Sequence, residues 1–226
     1  MNEDHEHRHD HHHDHGQDNS GAHAPHPTQP DDVSLPGRYE VMILAMRDLL
    51  IEKGVVTADQ IRRGFEVLDS WQPSRGAQIV ARAWTDPSFK KRLLEDGNAA
   101  VADFGITMGE TKLTVVENTD TVQNVIVCTL CSCYPRAVLG LPPDWYRSKS
   151  YRSRVVVEPR QVLKELGTDL PDDITIRVHD SLADLRYLVI PRRPDATEGW
   201  SEMRLASIVS RDCMIGVANP KVLANE

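Results

Sequence analysis

Long apolar runs, a surplus of basic charge and an ample supply of cysteine are all missing from this sequence, and each shortage closes a class of function. No hydrophobic stretch approaches the roughly 18 residues of a membrane span, and the first residues are polar rather than signal-like. The expected compartment is therefore the cytoplasm. Lysine and arginine number 26 against 34 acids, for a net charge of −8. Residues 1–32 hold eight acids and a single base, Arg8, so they carry −7 of that total and leave −1 for the rest of the chain. A nearly neutral body offers no electrostatic footprint for nucleic acid. Four cysteines in 226 residues do not make a disulfide scaffold. Three of them, however, crowd into six positions, Cys128, Cys131 and Cys133 in "VCTLCSCY".

Histidine is as unevenly spread. Nine of the ten lie in "MNEDHEHRHDHHHDHGQDNSGAHAPHPTQPDD", which holds almost nothing apolar and cannot offset its ordering entropy by burial. Residues 1–34 therefore read as a disordered His/Asp-rich tail, either a capturer of divalent metal through imidazole ligands or a solubilising segment.

Helical signals dominate from about residue 36 to 105. "RYEVMILAMRDLLIEKG" places Met42, Ala45, Met46 and Leu49 at helical spacing before Gly54 as a C-terminal cap. "TADQ", Thr57 to Gln60, fits a capping box, with Ile61, Phe65 and Leu68 following on one face. "DPSFKKRLLEDG" opens on Asp86 as N-cap and Pro87 at the first helical position, and stops at Gly97. So much exposed apolar face suggests that residues 35–105 form a helical arm embracing a partner chain; a plain helical subdomain is the alternative.

After Gly105 the period changes. "KLTVVE" and "VQNVIV" read as strands separated by the turn-forming Asn118 to Asp120. "EPRQVLKELG" reads as a helix from Pro159, "ITIRV" and "LRYLVIP" as strands alternating Ile174, Ile176, Val178 and Leu185, Tyr187, Val189 inward, and "WSEMRLASIVSR" as a helix capped by Ser201. The expected class is α+β: an N-terminal helical arm, then a layered α/β domain over residues 106–226 that carries the cysteine loop.

Several chemistries compete for that loop. A disulfide oxidoreductase needs only Cys-x-x-Cys opening a helix, which leaves Cys133 idle, and Pro135 disfavours a helix there. Structural zinc wants four side-chain ligands, and the remaining candidates outside the tail are Cys213 and His179. An iron–sulfur cluster would have to recruit Cys213. Cys131-Ser132-Cys133 allows another solution. Two thiolates flanking one residue, with the deprotonated amides of Ser132 and Cys133, make an N₂S₂ square, and Cys128 supplies an axial sulfur. A sixth position stays open. Amide deprotonation calls for a strongly polarising ion, better a trivalent low-spin metal than zinc, and such a Lewis acid lowers the pKa of bound water.

At this loop the sequence resembles the α subunit of nitrile hydratase, the metalloenzyme family that adds water to a nitrile to give an amide. "VCTLCSC" matches the family's metal motif, and "VVENTDTVQNVIVCTLCSCYP", "VLGLPPDWY", "SYRSRVVVEPRQVL", "RYLVIPRRPDATEGWSE" and "IVSRDCMIGV" have counterparts in order. "ARAWTDPSFKKRLLEDG" resembles the family's helical arm, so the likeness covers about residues 36–220. It implies a nitrile hydratase α-chain-like fold and a low-spin Co(III) ion, one per α subunit, bound by sulfur of Cys128, Cys131 and Cys133 and by main-chain nitrogen of Ser132 and Cys133. Thr129 stands where iron-type relatives carry Ser, which points to cobalt over iron. Cys131 is expected as sulfinate and Cys133 as sulfenate, states held by the metal and by two arginines of a β subunit. Either the sulfenate oxygen or water activated at the metal attacks the nitrile carbon, so Cys133, Cys131 and Ser132 are the catalytic candidates. The implied partners are the β subunit, in an αβ or α2β2 heteromer, a small nitrile, and a metallochaperone or activator. Asp180 and Asp184 fall where the family has carboxylates behind the metal ligands, the second usually Glu, and their role would be to orient the arginines; two solvated acids on a turn are the plainer reading.

One departure concerns the substrate. After "CSCYP" the family commonly has Trp-Pro, and here Arg136-Ala137 stands instead. A cation reaching the cavity favours an anionic substrate. The related γ subunit of thiocyanate hydrolase, which also begins by hydrating a C≡N group, shares the cysteine motif, "YPR" and a His-rich start. Arg136 pairing with an acid at a subunit interface is the other reading. Trp145 and Tyr146, behind paired prolines, are expected at an interface or on the pocket wall. Arg147, Lys149, Arg152, Arg154 and Arg160 are read as bridging to a partner subunit. Cys213 reads as a buried small hydrophobe and His179 as a structural residue. A redox or structural metal-binding module remains the alternative of a different class.

Overall fold

The computed structural model describes residues 37–222. The His-rich tail read as disordered and metal-capturing lies outside the described residues. Two compact units divide between Lys53 and Gly54. The first contributes helix α1, Arg38–Glu52, none of whose side chains is buried within it. The chain leaves α1 through Gly54, whose φ of +66° is the left-handed conformation expected of a residue ending a helix.

The second unit opens with α2, Ala58–Asp69. Its predicted capping box is present: Gln60 N donates to Thr57 Oγ1 at 3.1 Å, and Thr57 N to Gln60 Oε1 at 2.8 Å. Helices α3, Pro73–Thr85, and α4, Pro87–Glu95, both begin on proline, and Asp86 caps α4 by accepting from the amides of Ser88 and Phe89. The helix expected to stop at Gly97 ends two residues earlier. Asp96 instead accepts from Ala99 N and starts a further short helix, α5, Gly97–Ala102, because an aspartate carboxylate satisfies the free amides of a new first turn better than it continues an old one.

The strands lie where the alternation puts them: β1, Lys112–Glu117; β2, Val122–Val127; β3, Thr175–Asp180; β4, Leu185–Ile190. They form two parallel pairs, β1 with β4 and β2 with β3, in registers that set Val115 opposite Leu188 and Val125 opposite Val178. Parallel neighbours need long crossovers, and the β2-to-β3 crossover carries the cysteine loop. It also carries four short helices: α6, Arg136–Leu139; α7, Asp144–Arg147; α8, Lys149–Arg154; and α9, Pro159–Glu165.

β2 is buried from Gln123 to Val127, and the last half of β4 likewise, as expected for parallel strands covered on both faces. Ile79 and Val80 of α3 and Leu139 of α6 complete this core, with Met214 and Ile215 of α11, Arg211–Ile215. The expected single helix after Ser201 is two. Ser201 caps α10, Glu202–Ser207, and Ser210 then caps α11, its hydroxyl accepting from Cys213 N at 3.3 Å. Cys213 is 2% exposed, the small buried hydrophobe anticipated. Gly216 ends α11 at φ +92°, and a Cβ there would lie 1.9 Å from Asn124 O, so α11 seats directly on the backbone of β2 only because this residue is glycine. Among the described residues no helix is long and apolar enough to cross a membrane.

Candidate metal centre

β2 delivers its last residue, Val127, into a ladder that Ser181 N closes on Val127 O at 2.7 Å. Beyond it residues 128–135 form no helix or strand, and the loop is held by side chains from elsewhere. Asp180, the last residue of β3, accepts from Thr129 N at 2.9 Å and from Thr129 Oγ1 at 2.6 Å. Arg152 Nη1 donates to Thr129 O at 3.3 Å, and Tyr146 Oη to Cys133 O at 2.9 Å. Tyr151 Oη donates to Ile126 O at 2.8 Å, just upstream. The short helix α6 begins directly after Pro135, so the proline expected to disfavour a helix precedes one instead.

So held, the loop folds its three thiols onto one point. Cys128 Sγ and Cys131 Sγ are 3.4 Å apart, Cys131 Sγ and Cys133 Sγ 3.3 Å, and all three lie within 4.8 Å of one another. All are free cysteines, at separations well beyond the ~2.05 Å of a disulfide. With metal–sulfur bonds of about 2.3 Å, two sulfurs at a right angle stand roughly 3.3 Å apart, and two at a tetrahedral angle roughly 3.8 Å. The observed separations fit the right-angle arrangement. Neither Cys213 nor His179 joins the group, so among the described residues no fourth side chain completes a zinc or iron–sulfur site. His179 instead sits against Asn124, with Nε2 2.8 Å from Oδ1, and burial lowers its pKa, so it stays a neutral structural residue.

The thiols are electrostatically unequal. A hydrogen bond from Cys133 pulls Cys131 down to about 7, and a second from Cys128 adds to this. Burial pushes Cys133 up to about 12, although the Arg186 guanidinium works against it. Of these two, the exposed Cys131 is therefore the more acidic thiol. Burial also raises Tyr146 above the usual phenol range, which keeps it a proton donor to Cys133 O.

A cavity of about 650 Å³ opens on the cluster, its wall including Trp71, Met108, Cys131, Ser132, Cys133, Arg136 and Arg186. Among the described residues, Arg136 and Arg186 are its only charged lining. The structure therefore brings Cys128, Cys131, Ser132, Cys133 and Asp180 together and sets Arg136 on the cavity wall. It does not bring Trp145 there: that ring packs edge-on against Tyr151, 4.9 Å between centroids. Asp184 is exposed and enters the sheet through its main-chain oxygen, which accepts from Lys112 N at 2.8 Å.

The arginines of the basic stretch, read as bridging to another subunit, have partners within the chain. Arg147 pairs with Asp144, Arg154 with Glu158 and Glu165, and Arg160 donates to the carbonyls of Leu170, Pro171 and Ile174. Arg186 went unnoticed in the sequence because it alternates outward in "LRYLVIP" like any solvent-facing strand residue. Tyr146, Tyr151 and Arg152 went unnoticed as holders of the loop because their acceptors are carbonyls, which no residue pattern marks.

Comparison with known proteins follows the same lines. Residues 37–218 match the family model for nitrile hydratase, alpha chain. The chain is 50% identical over 185 residues to the cobalt-containing nitrile hydratase subunit alpha of Pseudonocardia thermophila, a match spanning 80% of this chain and 90% of that one. It is 45% identical over 195 residues to the thiocyanate hydrolase subunit gamma of Thiobacillus thioparus, spanning 81% and 80%. A double mutant of the iron-type nitrile hydratase from Comamonas testosteroni Ni1 superposes with a TM-score of 0.75 at 43% identity, covering 83% of this chain and 95% of that one.

Proposed function

The chain belongs to the nitrile hydratase alpha-chain family, and from that premise we propose that it is the metal-holding subunit of a cobalt nitrile hydratase, which converts R–C≡N and water to R–C(=O)NH₂. The observation that carries this reading is the convergence of three free thiols, two of which, Cys131 and Cys133, line a cavity. Cys128, Cys131 and Cys133 would hold cobalt through sulfur, and Ser132 and Cys133 through main-chain nitrogen. Bound there, a trivalent cobalt ion supplies Lewis acidity, which makes water nucleophilic at neutral pH. With an external oxidant such as dioxygen, Cys131 would mature to the sulfinate and Cys133 to the sulfenate, and an oxygen on Cys133, which lines the cavity, would serve as nucleophile or as base toward water. Thr129, clasped by Asp180, is the residue that favours cobalt over iron.

The same reading gives residues 35–105 a role as an arm around a β subunit, carried by α1 and α2, since Ile79 and Val80 of α3 already pack into the chain's own core. Within its own unit α1 leaves Tyr39, Ile43 and Met46 exposed, and α2 leaves Phe65 62% exposed, faces that a second chain would cover. The αβ or α2β2 assembly would complete the cavity, and an activator protein would deliver the metal.

Arg136 supports a second reading. Its place on the cavity wall suits thiocyanate, an anionic C≡N compound, and thus a γ-type thiocyanate hydrolase subunit. One set of measurements on the co-expressed heteromer tests both. Tightly held cobalt, three added oxygens across the peptide bearing Cys131 and Cys133, and turnover of a simple nitrile are expected. One equivalent of zinc alone would overturn the hydratase reading, and turnover of thiocyanate alone would reverse the order of the two. Arg136→Trp should lower any thiocyanate turnover at least tenfold relative to nitrile turnover; no change in either removes the argument from Arg136.

A further inference from the structure

The loop that carries the thiols has no secondary structure of its own, yet Cys131 Sγ stands 3.3–3.4 Å from both other sulfurs, close enough for one ion to bind all three. Something must fix its backbone. On one side Asp180 grips the amide and hydroxyl of Thr129. On the other, a single short stretch, residues 146–152, supplies three donors to three carbonyls spread over residues 126–133: Tyr151 to Ile126, Arg152 to Thr129 and Tyr146 to Cys133. The two phenols are buried, Tyr146 at 0% and Tyr151 at 5% exposure, so water does not compete for them. Their rings are wedged by neighbours: Tyr134 lies 5.1 Å from Tyr146, and Trp145 lies 4.9 Å from Tyr151, all edge-on. Trp145 thus belongs to this wedge.

The three bonds are not equivalent. Ile126 lies inside β2, whose pairing with β3 already fixes the strand, so Tyr151 adds stability to a backbone otherwise determined. Thr129 and Cys133 lie in the loop, where no ladder determines the chain. Cys133 O belongs to the very residue whose sulfur and amide would both bind the proposed metal.

We propose that Tyr146 and Arg152 are positioning residues of the metal loop, setting the backbone at Cys133 and Thr129 so that the three sulfurs stand ready for one ion. This rests on the loop being a metal centre, and the test separates the two ideas. Groups that orient metal ligands from behind commonly change metal affinity 10–100-fold when removed. The heteromer is prepared with Tyr146→Phe, Arg152→Gln or Tyr151→Phe, the last removing an equally buried hydroxyl with a bond of similar length. Two readouts are taken: cobalt content with the sulfur-to-cobalt absorption band, and, on metal-free protein, the alkylation rates of Cys131 and Cys133.

Tyr146→Phe and Arg152→Gln should bind cobalt about tenfold more weakly and so carry less of it, shift the band, and change the relative alkylation rates of the two thiols. Tyr151→Phe should lower thermal stability and leave all three unchanged. Full loading with an unshifted band and unaltered thiol rates in both loop variants would overturn the proposal. So would a Tyr151→Phe protein that behaves as they do, since the bonds would then be merely structural. If wild-type heteromer binds no cobalt, the metal reading fails, while the thiol rates of the metal-free variants still decide whether these residues position the loop. Should Tyr146→Phe not fold, Arg152→Gln, at a partly buried position, decides alone.

Discussion

Replacing Asp180 with alanine removes the clasp between β3 and the thiol loop. Two hydrogen bonds are lost, Thr129 N at 2.9 Å and Thr129 Oγ1 at 2.6 Å, both to one carboxylate. A hydrogen bond to a charged acceptor contributes roughly 1.5–3 kcal/mol, and two would give up to about 6 kcal/mol if buried. Asp180 is exposed, so water recovers most of that after substitution. We therefore work with about 1.5–2 kcal/mol, spent on local opening of the loop rather than on the global fold. At about 1.4 kcal/mol per factor of ten, this is a tenfold to thirtyfold rise in the opening equilibrium. Hydrogen exchange of the Thr129 amide, followed by mass spectrometry in the metal-free protein, reads that rise directly, with peptides of α3 as the internal reference. Asp180→Asn keeps one acceptor oxygen and should fall between. An unchanged rate at Thr129 in the alanine variant refutes the clasp. A rise matched in α3 refutes it too, because the loss would then be global.

Two further outcomes follow from the same geometry. With Cys131 pulled down to about 7, metal-free protein should alkylate there first. The thiolate fraction grows as pH rises through that value, so the Cys131 rate should be near its plateau at pH 8 and fall steeply below pH 6, while Cys133 labels slowly throughout; equal rates at pH 8 would contradict the inequality. Gly216→Ala forces a Cβ to within 1.9 Å of Asn124 O at a positive φ and should cost roughly 3 kcal/mol or more, a fall in Tm of about 6–12 °C in a chain of this size.

How far the sequence could be read depended on whether a feature is local. The strands were legible because "VQNVIV" and "KLTVVE" are short β-rich runs bounded by turn residues, and the capping box at Thr57 because both of its partners lie within four positions. Pairing was not. β1 takes β4 as its neighbour, 73 positions from Lys112 to Leu185, and alternation says only that a segment is extended, never which segment it meets. The break at Ile208 to Ser210 was hidden because "SIVSR" continues a helical period, and the competing Ser210 hydroxyl declares itself only once it accepts a bond. At the centre, the meeting of Cys128, Cys131 and Cys133 was legible since six residues of chain leave the sulfurs little room to part. Arg186 and the tyrosines behind the loop carry no such signature: each reaches the site by a fold that brings a different segment alongside, and Tyr146 and Tyr151 bond to carbonyls that every residue possesses.

Separation along the chain also ranks these restraints in time. Tyr146 lies 13 positions after Cys133, Arg152 23 after Thr129, and Asp180 51 after the same Thr129. Each doubling of a loop adds only about 0.6 kcal/mol of closure entropy, so the energetic difference is modest. Synthesis makes it larger, because β3 cannot pair until it has left the ribosome, whereas residues 146–152 emerge soon after the thiols. In order of emergence, the donors of residues 146–152 become available to the loop before Asp180 does. Assembly of the centre and folding of the domain thus share a clock, and the last hand on it is β3.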